Sequence, residues 1–302
     1  MPEAPLVTVG VPVYNGEQHL ERALDSLLAQ TFIDFEIIIC DNASADATPQ
    51  IGTRYAERDP RIRYHRNEQN IGLAGNYNRA VELARGRYFK WATFDDWHAP
   101  ESLELTVNAL EEHPDAALCA TGVAIVDEHG VELDEWTPLV DLLEARPHRR
   151  MHRLLWSMGE THPMYGLMRA SVLRQTPLMC SYVGSDRTLL SAMSLLGPIV
   201  QLPDKLHFYT VSAAARVGYR PSLTYDPANV DRLPLRTWRL IYEHLRLVRR
   251  SGLPAHQQLY LVGSVLGRFG VRDVRRLTSE AYYTGRILMA RTRRSLQRPS
   301  AV

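Results

Sequence analysis

The sequence predicts an α/β fold, a largely parallel sheet with helices on both faces, followed by a basic helical extension. Three observations predict it. Short apolar β-rich runs alternate with amphipathic helical patterns over about the first 115 residues. The runs are apolar on both faces, as expected of strands covered by helices. From Pro234 onward the pattern turns helical and arginine-rich.

In order, Leu6-Val7-Thr8-Val9-Gly10-Val11 reads as the first strand, closed by Pro12, and Glu17 to Gln30 as a helix with Leu20, Ala23, Leu24, Leu27 and Leu28 on one side. Phe35 to Cys40 is the second strand, and Asp46 to Arg58 the second helix, capped by Asp46 or Ser44. Arg61 to His65 is more polar and reads as a strand nearer an edge; Leu73 to Arg85 is helical. The fourth strand, Tyr88-Phe89-Lys90-Trp91-Ala92-Thr93-Phe94, is expected to run directly into Asp95-Asp96-Trp97. Ala116 to Asp127 is a strand, followed by a turn at Asp127–Gly130. Residues 134–165 are irregular, with a helical piece near His152–Met158; Ser185 to Leu196 is helical. Leu235–Arg250, Pro254–Phe269 and Val271–Arg294 complete the chain as helices.

At 302 residues, 45% hydrophobic and 23% charged, the composition is that of an ordinary globular protein. No run is long enough for a membrane-spanning helix. The N-terminus lacks the regions of a signal peptide. Cys40, Cys119 and Cys180 fit no metal-ligand spacing, and a reducing cytoplasm is expected. The net charge of +1 hides an asymmetry: residues 231–302 hold fifteen arginines and four acids, a net +11, leaving −10 on residues 1–230. Solvated helix faces, docking on an anionic membrane at the cytoplasmic face and pairing of two copies all remain open for that segment. Nucleic acid is not an expected partner, because the body is acidic and shows no nucleic-acid module.

Strand ends at one edge of such a sheet bind ligands. Here they deliver Pro12, Tyr14 and Asn15, then Asp41 and Asn42, then Asp95 and Asp96, with Asn70, Gly72, Gly75 and Asn78 beside the third crossover. An aromatic ring beside an acid can hold a base, and paired acids can hold a divalent ion on a diphosphate. A plain helix N-terminus accounts for the acids equally well in isolation. No G-x-G-x-x-G follows the first strand, and no phosphate-binding P-loop appears.

Val11-Pro12-Val13-Tyr14-Asn15-Gly16, Ile39-Cys40-Asp41-Asn42-Ala43-Ser44-Ala45-Asp46, Asn70-Ile71-Gly72-Leu73-Ala74 and the Asp95-Asp96 segment, in this order and spacing, resemble the family 2 glycosyltransferases of GT-A fold. The likeness covers about 125 residues and continues more loosely through Tyr165–Arg169 and Gly184–Arg187. It implies a Rossmann-like mixed sheet over residues 1–230, with a nucleotide-sugar half (1–125) and an acceptor half (126–230), before an extension at 231–302. It implies an inverting transfer from a nucleotide-sugar, a UDP-sugar by expectation, to a carbohydrate, lipid-linked or small-molecule acceptor. Pro12, Tyr14, Asp41, Asn42, Asn78 and Asp95 would bind the nucleotide, Asp95 would ligate Mn²⁺ or Mg²⁺, Asp96 and Trp97 would face the sugar or acceptor, and Asp186 would be the catalytic base.

Two departures stand out. Thr93 replaces the first acid of the D-x-D motif, and Ser212 stands where many members carry a metal-ligating histidine. His207, earlier on that strand, is expected to point away from the acids. Two rivals follow: a degenerate, non-catalytic binding or scaffold module, and a sugar nucleotidyltransferase, whose Gly-rich basic loop Val11–Glu17 does not show.

Overall fold

The computed structural model describes residues 4–136, 142–159, 161–211 and 235–284. Val7–Val13 (β1), Phe35–Asp41 (β2), Ile62–Arg66 (β3) and Tyr88–Trp91 (β4) form a parallel block in the order β3-β2-β1-β4. Their crossovers carry helices Leu20–Leu28 (α1), Thr48–Arg58 (α2) and Gly72–Leu83 (α3). β1 and β2 are buried along their whole length, as their unbroken apolar runs require.

The sheet then becomes mixed. Trp97–His98 (β5) and helix Ser102–Glu112 (α4) lead to Leu118–Val126 (β6) and Glu132–Trp136 (β7). Helix Pro147–Ser157 (α5) precedes a 3₁₀ turn at His162–Tyr165, strand Leu167–Arg169 (β8) and the short helix Ala170–Leu173 (α6). Helix Ser185–Leu196 (α7) and strand Ile199–Thr210 (β9) follow. β8 inserts antiparallel between β4 and β6, β9 runs parallel to β6, and β5 pairs antiparallel with β9. The order is therefore β3-β2-β1-β4-β8-β6-β9-β5, with β7 beside β6.

One apolar cluster joins β1 and β2 to α1 and α4; a second joins β4 and β6 to α3, α5 and α7. A third lies away from the sheet. Helices Arg236–Arg250 (α8) and Ala255–Val265 (α9), with Phe269 and Leu277 beyond them, bury Ile241, Val248, Leu261 and Val265 against Met151 and Leu155 of α5. The C-terminal helices thus share a core with α5. The distal part of the expected last helix, 285–294, lies outside the described residues, as does Ser212.

The fourth strand departs from expectation. It stops at Trp91, and Ala92–Asp96 form a loop before β5, so the acids sit beyond the strand rather than on its last pleats. β4 pairs only as far as Trp91 with Gly10 of β1, after which Ala92 donates one further bond to the Gly10 carbonyl.

Candidate active site

The carboxyl ends of β1, β2 and β4 open at one sheet edge. After β1, Asn15 has a left-handed backbone (φ 53°); after β2, Ala43 does too (φ 63°). Such strain persists only where surrounding bonds over-determine it. Here the Asn15 N–H donates to Ser44 Oγ at 2.9 Å and the Ala45 N–H to Asn15 Oδ1 at 2.9 Å, binding the two loops together. Pro12 is buried beneath them and the Tyr14 ring is exposed at their mouth.

Asp41 has no exposed surface. Its Oδ1 accepts the Ser44 N–H at 2.8 Å and its Oδ2 the Tyr64 hydroxyl at 2.6 Å, with Arg66 Nε at 3.5 Å. Burial first, and the hydrogen bond to Asp41 second, push the Tyr64 phenol well above its usual range. Arg66 is half-exposed and also donates to the Ser44 carbonyl at 3.0 Å, so a cation stands beside the mouth.

Two asparagines expected to meet the nucleotide are committed elsewhere. Asn42 is buried; its Nδ2 donates to Asn70 Oδ1 and the Gly72 carbonyl, and its Oδ1 accepts from Asn67 Nδ2 and the Ile71 N–H. With both amide atoms saturated, it shapes the loop before α3. Asn78, on α3, exchanges two hydrogen bonds with the Met179 backbone. It ties down the segment that leads to α7.

The acid pair divides its labour. Asp96 is 1% exposed, and its oxygens are taken: the Thr210 N–H donates to Oδ1 at 2.8 Å, while His207 Nε2 (2.9 Å) and Thr93 Oγ1 meet Oδ2. Both oxygens are thus hydrogen-bonded within the protein, at the residue for which the resemblance implies a sugar or acceptor contact. Asp95 is only partly buried, and its backbone carbonyl accepts from Thr210 Oγ1 (2.6 Å) and Arg22 Nη2 (3.2 Å). Burial first, and the adjacent Asp96 second, raise the Asp95 carboxyl above the usual carboxylate range, with Thr93 and Arg22 opposing.

That shift marks a charged form short of compensation, which a divalent ion would supply. Among the described residues no group of three His, Cys, Asp or Glu side chains could cage an ion. The donor set fits the other arrangement for Mg²⁺ or Mn²⁺, one protein carboxylate plus phosphate oxygens and water.

Trp97 packs among protein groups. Its ring stacks on Phe208 (centroids 5.4 Å, 5° between planes) and carries the Arg22 guanidinium 4.1 Å above its centroid. Arg22 reaches this place from α1, and also donates to Thr210 Oγ1 and the Glu128 carbonyl. Nothing in the helical pattern of α1 singled it out.

His207 was misassigned. β9 pairs with β5 so that His207 lies opposite His98, the rings stack at 5.0 Å, and its Nε2 reaches Asp96. The available signal is a histidine flanked by apolar residues in Leu206-His207-Phe208-Tyr209. The His162 ring packs on Tyr209 at 4.8 Å and lies 6.4 Å from His207; the Tyr165 ring lies 5.4 Å from His207. Lys90 is fully buried beneath them, donating to the Tyr165 carbonyl, and burial lowers its ammonium to about 8.

Asp186 lies in the first turn of α7, after Gly184 with φ +90°. An L-residue there would be strained, and its Cβ would lie 2.9 Å from Leu240 of α8. Asp186 Oδ2 accepts from Thr161 Oγ1 at 2.5 Å and Oδ1 from the Arg187 N–H at 2.8 Å, leaving a lone pair on each oxygen. Thr161 immediately precedes the 3₁₀ turn, so Asp186 and the Asp95–Asp96 loop are joined through Thr161, His162 and His207. Arg169, by contrast, is spent on the Leu110, His113 and Ala116 carbonyls and on Tyr88.

Comparison with known proteins is consistent with this arrangement. The family profile described as Glycosyl transferase family 2 matches residues 8–176. An uncharacterized protein of Mycobacterium tuberculosis is 34% identical over 170 residues, 53% of this chain and 48% of that protein. The chain spans about half the length of the curated relatives it matches first. In fold it is similar to S. aureus TarS 1-349, solved in complex with UDP-GlcNAc (TM-score 0.66, 19% identity, 87% of this chain and 72% of that one). It is also similar to the mannosyltransferase PcManGT from Pyrobaculum calidifontis, solved with GDP-Man and Mn²⁺ (TM-score 0.53, 18% identity, 99% and 82%).

Proposed function

Since the chain belongs to glycosyl transferase family 2, we propose that it moves a sugar from a nucleotide-sugar to an acceptor hydroxyl or amine with inversion. The observation that carries this reading is Asp95, a carboxylate short of positive charge beside a mouth framed by Tyr14, Asp41 and Arg66. Donor binding is assigned to residues 1–125 and acceptor binding to 126–230, with 231–302 a helical extension whose described helices pack on α5.

Tyr14 offers its exposed ring to the base, and Asp41, held by Ser44 and Tyr64, keeps acceptor capacity for a base or ribose donor. Asp95 would hold a divalent ion together with the diphosphate, and that ion would supply charge neutralisation for the departing group. Asp186 accepts the acceptor's proton as the acceptor oxygen or nitrogen bonds to the anomeric carbon; the bond from that carbon to the phosphate oxygen breaks, and its electron pair leaves with the nucleoside diphosphate. Thr161 and the Arg187 N–H keep Asp186 oriented for this task.

A degenerate binding module is the second reading, and one observation favours it: Asp41 is fully buried, with both oxygens already bonded. Calorimetry with UDP, dTDP, GDP and CMP, each with Mn²⁺, Mg²⁺ or a chelator, separates the two. The TarS complex makes UDP the first to try. Binding of one nucleoside diphosphate that needs both metal and Asp95 (lost in Asp95→Ala) is the expected result. No binding under any condition would leave the scaffold reading in its place.

A further inference from the structure

We infer that His207 is a positioning residue for the acid pair, fixing Asp96 from behind so that Asp95 faces the diphosphate and its ion. The inference rests on the glycosyltransferase reading and adds to it a residue outside the family pattern.

The acids stand in a loop, not on a strand, so strand pairing does not hold them. Thr93 lacks the second carboxylate that would share an ion. Asp95 must therefore be placed by its neighbours, and β9 supplies them. The Thr210 N–H holds Asp96 Oδ1, Thr210 Oγ1 holds the Asp95 carbonyl, and His207 Nε2 holds Asp96 Oδ2. These bonds span 111 to 115 residues of sequence.

His207 is suited to the role. It is 2% exposed, stacked within 6° of parallel on His98 and edged by Tyr165, so its ring has little freedom. A carboxylate sealed from water needs such donors, and the Nε2–H tautomer is the one that Asp96 Oδ2 requires. A donor delivered by a rigid ring fixes orientation at little further entropy cost. Because Asp96 and Asp95 share a peptide unit, a rotation of the Asp96 side chain and its backbone re-aims Asp95. His207 touches neither substrate nor ion in this arrangement and acts only through Asp96.

The test uses the full chain, with UDP binding followed by calorimetry as Mn²⁺ is titrated. His207→Phe keeps a flat ring on His98 and removes the N–H; His207→Gln loses the ring and keeps an N–H donor. His207→Phe should raise the Mn²⁺ concentration for half-maximal UDP binding at least about tenfold, and His207→Gln should restore most of that loss; tenfold corresponds to about 1.4 kcal/mol. Thr93→Val, which removes the other donor to the same oxygen, should shift the Mn²⁺ dependence in the same direction and stands in if His207→Phe does not fold. Equal losses in His207→Phe and His207→Gln would mean that the ring merely packs, and wild-type Mn²⁺ dependence in His207→Phe and Thr93→Val would mean that Asp96 needs no such support. Either result overturns the inference. Wild-type protein that binds no nucleotide removes the functional reading first, whereas UDP binding indifferent to Mn²⁺ keeps that reading and overturns the inference alone.

Discussion

Asn78 grips Met179 by both ends of its amide: Oδ1 accepts the Met179 N–H at 3.0 Å and Nδ2 donates to the Met179 carbonyl at 2.9 Å. This pairing, 101 residues apart in sequence, pins the segment before Asp186 to helix α3. Asn78→Ala would leave both Met179 backbone groups unpaired, at a cost of about 1–3 kcal/mol. The expected outcome is a lower melting temperature and reduced turnover, with nucleotide affinity within about threefold of wild type. A large loss of UDP affinity with unchanged stability would instead return Asn78 to the nucleotide pocket.

Asp186→Asn keeps the shape and the acceptor for the Arg187 N–H, turns the other oxygen into an amide donor toward the Thr161 hydroxyl, and loses the base. Turnover should fall by about 10²–10⁴, while UDP binding stays near wild type. Both are read by product formation and by calorimetry. Full activity in Asp186→Asn would assign Asp186 to its helix turn alone.

His244 ties the C-terminal helices to α7. It is fully buried, its Nδ1 lies 2.7 Å from the Leu240 carbonyl and its Nε2 3.2 Å from Ser191 Oγ, and burial lowers it to about 4. The Leu240 bond opposes the shift, and the charge of Arg187 adds to it. A histidine lowered from about 6.5 favours the neutral form in the fold. Its contribution to stability is therefore complete above pH 6.5 and is lost as pH falls from there toward 4. Hydrogen exchange should show α8 and α9 losing protection across that window, and His244→Gln should flatten the dependence.

The described C-terminal residues expose Trp238, Tyr242, Tyr282 and Tyr283 beside arginines, while Glu243, Asp273 and Glu280 are engaged with Arg239 and Arg246, with Arg268 and with Thr237. Sedimentation with vesicles rich in anionic lipid should show binding that weakens as salt is raised and falls in a Trp238→Ala, Tyr242→Ala double variant. Dimerisation without vesicle binding would assign this face to a second copy of the chain.

The alternation of strand and helix and the parallel sheet of the first four strands were legible in the sequence. Burial on both faces leaves a continuous apolar run, and short crossovers leave little choice of topology. Residues such as Ser185 to Leu196 declare their helix because its pattern is local. The family's spaced motifs likewise brought Asp41, Asp95 and Asp186 to notice.

What the tertiary structure decided is which polar atoms are paired within the protein. Asn42, Asn78 and Asp96 look alike in sequence as candidates for ligand contact, and each is already hydrogen-bonded within the protein, to Asn70, to Met179 and to His207. A side chain's hydrogen-bonding capacity is fixed by its chemistry, but the partner that uses it arrives from a distant part of the chain. For the same reason Arg22 on the first helix and His207 on the last described strand became part of the site only when β5 and β9 paired.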